Sequence, residues 1–428
     1  MTPAIVYDGL RLLLGALTHT PRGVDRVDLS YARYLFENWP GECLGLLPTP
    51  WGVRLYDRNK ALRMLDCVRS SWRENLAAGT DPALTSFHHW LDRKSAGPQE
   101  YTRHRRSNTV ENGLRFLRHN GLHMGDSAVR AAPNNAIYLN IGQLGWAAPV
   151  TTHWLRRRPD LRAIFMLHDV IPLQHPELVS EGGRLAQDWM LRSVIRRASG
   201  LITTTQAATR KVMATLRQHG LPEIPLCSQH LPVSEVFLHN EPPNEALRQQ
   251  PYFVICGTIE PRKNHLLLLK VWSRLVQRVG HAAPRLVIVG SPGYQGQQIL
   301  RQFQQAPALR NHVVVLSGMA SPSLRHVMAN AQAVLTPSLA EGFGLPLIEA
   351  LTIGTPVLAS DLPTHREVGG DLAIYLDPSD DVAWFDAIMS IVEDDTETAM
   401  LRQRIGCYRP VTASDYFGSM GAFLAEFS

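Results

Sequence analysis

The stretch Glu341-Gly-Phe-Gly-Leu-Pro-Leu-Ile-Glu349 places two carboxylates eight positions apart, with a glycine-rich turn and a proline between them. Gly342 and Gly344 let a backbone pass close to a ligand, and Leu345-Pro346 reads as the first turn of a helix, where proline's missing N–H costs nothing. A helix start favours an anion. Carboxylates accept strong hydrogen bonds from hydroxyl groups, so an anionic ligand that also carries sugar hydroxyls fits the pattern. A capping glutamate in an ordinary α/β loop fits the same residues.

Other residues of the same chemistry recur at predicted strand ends. After Tyr252-Phe-Val-Ile-Cys256 come Gly257-Thr-Ile-Glu-Pro-Arg-Lys263, with Arg262 and Lys263 as adjacent cations. The chain has five lysines, so Lys263 is not one of a generic basic surface. Two cations there can neutralise a diphosphate, and no D-x-D triplet points to a chelated divalent metal. In the first half, Leu161–Leu167 runs into His168-Asp169, and Pro21-Arg-Gly23 opens a helical stretch as a candidate anion nest.

The elements that must position these groups follow from periodicity. Short apolar runs at 252–256, 285–290, 313–317, 333–337 and 356–360 alternate with helix-period segments, which predicts a parallel sheet with crossover helices. A weaker series occupies 4–8, 136–141, 161–167 and 200–205, while 60–130 reads as mostly helical and irregular. Parallel sheets bind ligands at the carboxyl ends of their strands. Residues 239–250, polar and with two prolines, read as a linker. The predicted arrangement is α/β: 1–238 and 251–405 as two Rossmann-like domains facing across a cleft, with 406–428 as a terminal helix able to cross back to the first.

Composition narrows the class of protein. At 428 residues, with 45% hydrophobic and 19% charged, the chain is globular and long enough for two cores. Five scattered cysteines without C-x-x-C pairing suit a reducing compartment. Charges at Asp8 and Arg11 interrupt any secretory apolar run, and 131–155 is too polar to span a bilayer. The expectation is a cytoplasmic protein, able to sit at the inner face of the cell membrane. Residues 1–238 carry 29 Lys+Arg against 20 Asp+Glu, a balance of +9, whereas 239–428 carry 14 against 18, a balance of −4. The basic clusters Arg103–Arg106, Arg156–Arg158 and Arg196-Arg197 suit an anionic lipid surface or a phosphorylated acceptor, or a solvated face. No nucleic-acid-binding motif accompanies them.

With these residues in view, the chain resembles the retaining nucleotide-sugar transferases of glycosyltransferase family 4. EGFGLPLIE is similar to that family's E-x7-E motif, supported by GTIEPRKNH, RLVIVGSPGY, the long stretch from Ser317 to Pro378, and HDVIPLQHPE in the first half. Within that family, the PRKN and HDVIP-like segments resemble those of bacterial exopolysaccharide and lipopolysaccharide assembly enzymes, several of which are mannosyltransferases. The resemblance implies a GT-B fold, a nucleotide-diphosphate-sugar donor (GDP-mannose or a UDP-hexose), no metal or other cofactor, and a saccharide or polyprenyl-diphosphate-linked saccharide acceptor. It assigns Glu349 to the ribose hydroxyls, Glu341 to the transferred sugar, and Gly342, Phe343, Gly344 and Leu345 to sugar and diphosphate. Lys263 takes the diphosphate, with Arg262 and Gly257 beside it, His168 with Asp169 meets the donor sugar, and Gly23 closes over the phosphates. It also implies a same-face reaction in which the leaving phosphate takes the acceptor's proton. One departure stands out: many members carry arginine where this chain has Thr258, and Arg262 is the candidate replacement. A GT-B epimerase or phosphorylase, or a non-catalytic nucleotide-sugar-binding subunit, are the alternative readings.

Overall fold

The computed structural model describes residues 2–15, 21–49, 51–72, 80–92, 125–143, 148–220, 222–239, 244, 247 and 250–428. The cluster Arg103–Arg106 and most of the expected linker lie outside them. The chain divides into two compact units: Met1–Asn75, Arg106–Leu231 and Thr412–Ser428 form the first, Leu76–Arg105 and Pro232–Val411 the second.

In the first unit, β1 (Ile5–Asp8), β2 (Cys43–Thr49), β3 (Gly52–Tyr56), β4 (Asp126–Ser127), β5 (Ile137–Asn140), β6 (Arg162–Met166), β7 (Ala198–Thr203) and β8 (Leu226–Ser228) form one sheet in the order β4-β3-β2-β1-β5-β6-β7-β8. Only β3 and β4 run antiparallel to their neighbours. The core residues Val6, Tyr138, Phe165 and Leu201 come from adjacent parallel strands, and Met190, Val194, Val212 and Leu216 come from helices Glu181–Arg197 and Gln206–Gln218. Helix Ala413–Ala425 also belongs here: Tyr416 and Phe417 pack edge-on against Tyr31.

The second unit is a fully parallel sheet of β9 (Tyr252–Cys256), β10 (Arg285–Val289), β11 (Val313–Leu316), β12 (Ala333–Thr336), β13 (Val357–Ser360) and β14 (Ile374–Leu376). Its order, β11-β10-β9-β12-β13-β14, is that of a doubly wound Rossmann sheet, reversing direction between β9 and β12. All five residues of β9 and all four of β12 and of β13 are buried, as strands covered on both faces must be. Helix His265–Val279 contributes Leu267, Leu268, Val271, Trp272 and Leu275, one stripe at helical spacing.

Two boundary expectations change. Helix Pro82–Asp92, expected with the first half, belongs to the second unit: Phe87 packs edge-on against Tyr252, Asp81 Oδ2 accepts from the Ala320 N–H at 2.8 Å, and the Arg285 guanidinium lies over Trp90 at 5.1 Å. An apolar helix face buries itself wherever a matching face exists, whatever its place in the chain. Within the expected linker, Leu247 is buried and the Asn244 N–H donates to Asn330 Oδ1 at 2.7 Å, so these residues are anchored.

Candidate functional site

The reversal between β9 and β12 is the place where a doubly wound sheet opens a crevice at its carboxyl edge. The loop after β9 carries Gly257 to Lys263, and the loop after β12 carries Ser338 to Gly344. Gly257 has φ +134°, and a side chain there would stand 3.4 Å from Lys263 Cε, so glycine lets the lysine stem cross its backbone. Lys263 Nζ donates to Glu341 Oε1, Ser338 Oγ donates to the same oxygen at 2.9 Å, and Arg262 Nη1 donates to Oε2 at 2.8 Å. The Glu341 side chain is 8% exposed. Burial alone would raise its pKa, but Lys263 and Arg262 outweigh burial and hold the carboxylate far below its usual range.

Arg262 does two further things. Its Nη1 reaches the Ala340 carbonyl at 3.0 Å, and its Nη2 pairs with Glu260 at 2.8 Å. The guanidinium thus bridges both loops through two carboxylates. Thr258 sits by Gly293, where an added β-carbon would meet its methyl group at 2.5 Å, so it packs between turns.

Gly344, at φ +96°, is the N-cap of helix Leu345–Thr352, with Pro346 in the first turn. Glu349 falls in the second turn and is 2% exposed. The backbone of the turn is held from helix Pro363–Gly369: Thr364 Oγ1 donates to the Glu341 carbonyl at 3.1 Å, and the His365 ring lies 3.2 Å from where a Gly344 β-carbon would stand. Ser338, Glu260, Thr364 and His365 were not singled out in the sequence. The one signal was position: Pro363 starts a helix three residues past the run ending at Ser360, so Thr364 and His365 also lie at a strand's carboxyl end.

The remaining expected residues belong to the first unit, at its own reversal between β1 and β5. His168 follows β6, is 7% exposed, and its Nε2 lies 3.1 Å from the Ile141 carbonyl. A carbonyl only accepts, so Nε2 carries the proton. Burial lowers the His168 pKa to about 4, with Arg11 adding to the effect against the Ile141 hydrogen bond. Asp169 closes a turn by accepting from the Ile171 N–H at 3.1 Å. Gly23 opens helix Gly23–Asn38, but the helix start is already served by an internal carboxylate: Asp25 accepts from the Arg22 N–H at 2.7 Å and from Arg11 Nε at 2.6 Å. Arg11 also donates to the Gly142 carbonyl at 2.8 Å. Below lies a network invisible in the sequence, in which Tyr7 donates to Asp28, Tyr138 to Asp8, and Asn140 to Asp8 and Tyr138. Burial pushes Asp28 up to about 8 and Asp8 up to about 6.

The basic clusters are unequal. Arg158 is engaged with Asp160 at 2.7 Å and with the Ala132 carbonyl at 2.7 Å, so it ties a turn together and does not face outward as a free cation. Among the described residues no helix is long and apolar enough to cross a membrane, and no group of three His, Cys, Asp or Glu is placed to hold a metal.

Comparison with known proteins agrees with this architecture. The chain aligns over 99% of its length with 98% of Anabaena HepE, solved with UDP-glucose, at 16% identity and a TM-score of 0.61. Sucrose-phosphate synthase of Thermosynechococcus elongatus aligns over the whole of both chains at 16% identity, also with a TM-score of 0.61. The fold is therefore GT-B. Residues 239–408 match the family described as glycosyl transferases group 1, and Lys263, Glu341 and Glu349 all lie within the matched segment. In sequence, 51% of the chain is 30% identical to a serotype-specific mannosyltransferase, WbdA of Escherichia coli, covering 28% of that protein. The O-antigen chain mannosyltransferase RfbU of Salmonella typhimurium is 26% identical over 53% of this chain and 59% of its own. The matched regions thus span less than two thirds of each of these relatives.

Proposed function

We propose that this chain is a retaining glycosyltransferase that moves a hexose, mannose first among the candidates, from a nucleotide-diphosphate sugar to a saccharide or polyprenyl-diphosphate-linked saccharide during surface polysaccharide assembly. One observation carries the reading: two adjacent cations and a carboxylate meet at the reversal of a Rossmann sheet, beside a glycine-capped helix start. The family match and the mannosyltransferase relatives support it.

Cleaving a glycosyl–phosphate bond leaves a nucleoside diphosphate, so the main task is to stabilise departing negative charge. In this reading Lys263 and the N–H groups at the start of helix Leu345–Thr352 receive the diphosphate, with Gly257, Gly342, Phe343 and Leu345 lining its path. Glu341 holds hydroxyls of the transferred sugar, and Glu349 those of the ribose. Arg262, already bridged to Glu260 and Glu341, keeps the two loops in register and sets the Glu341 carboxylate, which refines its expected part as a substitute for the charge missing at Thr258. His168, neutral and with its proton directed to Ile141, offers Nδ1 as an acceptor to a sugar hydroxyl. The departing phosphate takes the acceptor's proton, so no protein group need act as general base.

The test is transfer from GDP-mannose and from UDP-hexoses to lipid-linked and free saccharides, with and without EDTA, with product analysis. Transfer from one nucleotide family with retained anomeric configuration and indifference to chelator is expected. Donor binding that is never followed by transfer to any acceptor would favour a non-catalytic subunit, and sugar release or epimerisation without acceptor would favour the other GT-B chemistries.

A further inference from the structure

The loops after β9 and β12 hold two cations, Arg262 and Lys263, and two carboxylates, Glu260 and Glu341, in one chain of ion pairs. Their formal charges cancel. A nucleotide-sugar diphosphate brings two negative charges, while a helix start offers about half a positive one. A complex at this site is therefore short of positive charge unless a further group supplies it.

One neutral titratable group adjoins the helix start. His365 is fully buried, and its Nδ1 lies 2.9 Å from the Ser360 carbonyl. Because that carbonyl accepts, Nδ1 carries the proton and Nε2 presents a bare lone pair. Nε2 has no hydrogen-bond partner and lies 3.5 Å from where a β-carbon on the N-cap Gly344 would stand. The charged groups facing the ring are Glu341 on the loop after β12 and Lys263 on the loop after β9. Tyr375 of β14 donates its hydroxyl to the His365 carbonyl; on the ring's own helix, Arg366 lies over Tyr375 and pairs with Asp361. Glu349 is the only charged residue of helix Leu345–Thr352. Burial, helped by Lys263, keeps the imidazole neutral against the pull of Glu341.

We propose that binding of a diphosphate donor at this site is coupled to uptake of one solvent proton by His365, whose Nε2 becomes the added positive charge behind the helix start. The inference rests on the donor-site reading. An anion arriving at Gly344 stabilises the imidazolium more than the imidazole, and by linkage the proton must tighten the anion equally. The ring need not touch the ligand, because charges near a buried helix start interact through a medium of low dielectric.

Calorimetric titration of the full chain with GDP-mannose and with UDP-glucose, in two buffers of different ionisation enthalpy between about pH 6 and about pH 8, tests this. The diphosphates of both probes are diesters and do not titrate in that window, so any proton taken up belongs to the protein. Expected is an uptake approaching one proton per bound donor and a Kd that weakens up to about tenfold per pH unit as pH rises. His365→Gln should bind with no uptake and a flat pH profile; His365→Asn, which keeps a donor for Ser360, serves if the first variant fails to fold. Binding without uptake in the wild-type protein, or equal uptake in wild type and variant, overturns the proton coupling and leaves the donor site standing. Failure of the folded protein to bind either probe overturns the donor-site reading and this inference with it.

Discussion

The two sheets solve the same positional problem in opposite ways. At the β9/β12 reversal of the second unit, acids and bases are paired: Glu341 is ionised because Lys263 and Arg262 hold it. At the β1/β5 reversal of the first, Asp8 and Asp28 are buried against tyrosine hydroxyls, and burial shifts both toward the protonated form. In the proposed reading, the loop-borne, charge-paired arrangement exchanges an internal carboxylate for a ligand's anion. The buried network fixes loops, because an unpaired carboxylate inside protein is too costly to be exchanged for anything. Position at a strand end is thus shared by both regions, and only the surrounding charges decide which can receive an anion.

The sharpest way to break this contrast is Lys263→Ala. Losing the cation should cost donor turnover about 10²- to 10³-fold and abolish the thermal shift given by nucleotide sugars. A variant that retains the shift would place the diphosphate elsewhere. Glu341→Gln keeps the shape but removes the charge, and should lower transfer by about 10²-fold while leaving nucleotide affinity within a few-fold of wild type. Unchanged transfer would remove Glu341 from the sugar's contacts.

Asp28→Asn probes the other region and should leave donor affinity intact. An acid whose pKa is raised in the folded state, here to about 8, binds its proton more tightly than the unfolded chain does, so its contribution to stability falls as pH rises from about 4 through about 8. The variant should therefore melt above wild type at about pH 8.5, with the gap closing toward about pH 5. A pH-independent difference would show that Asp28 is not buried as a neutral acid. The smallest effect concerns the +9 balance of residues 1–238. Weak sedimentation with anionic vesicles at low salt, lost on raising ionic strength, is expected at up to about 1 kcal/mol per surface cation; salt-independent or absent binding would set the membrane proposal aside.

Much of the scaffold was legible because it is local. The apolar runs at 252–256, 285–290, 313–317, 333–337 and 356–360 are strands, and Pro346 does stand in the first turn of a helix. Strands β3, β4 and β8 escaped notice because they are short or only half-buried, and β2 ends in Pro48-Thr49, which reads as a turn. The sequence also marked Lys263 and Glu341 as candidates, but as separate loops 78 residues apart.

What the sequence by itself determined is the kind of element at each place and the residue types at its carboxyl ends, since periodicity, proline and glycine act over a few residues. Tertiary structure decided the partners. It joined Lys263 and Arg262 to Glu341, set His365 behind Gly344, enclosed Asp28 with Tyr7, and gave helix Pro82–Asp92 to the second unit. Those choices depend on burial and on charges brought close by sheet order, and neither quantity exists until the chain has folded.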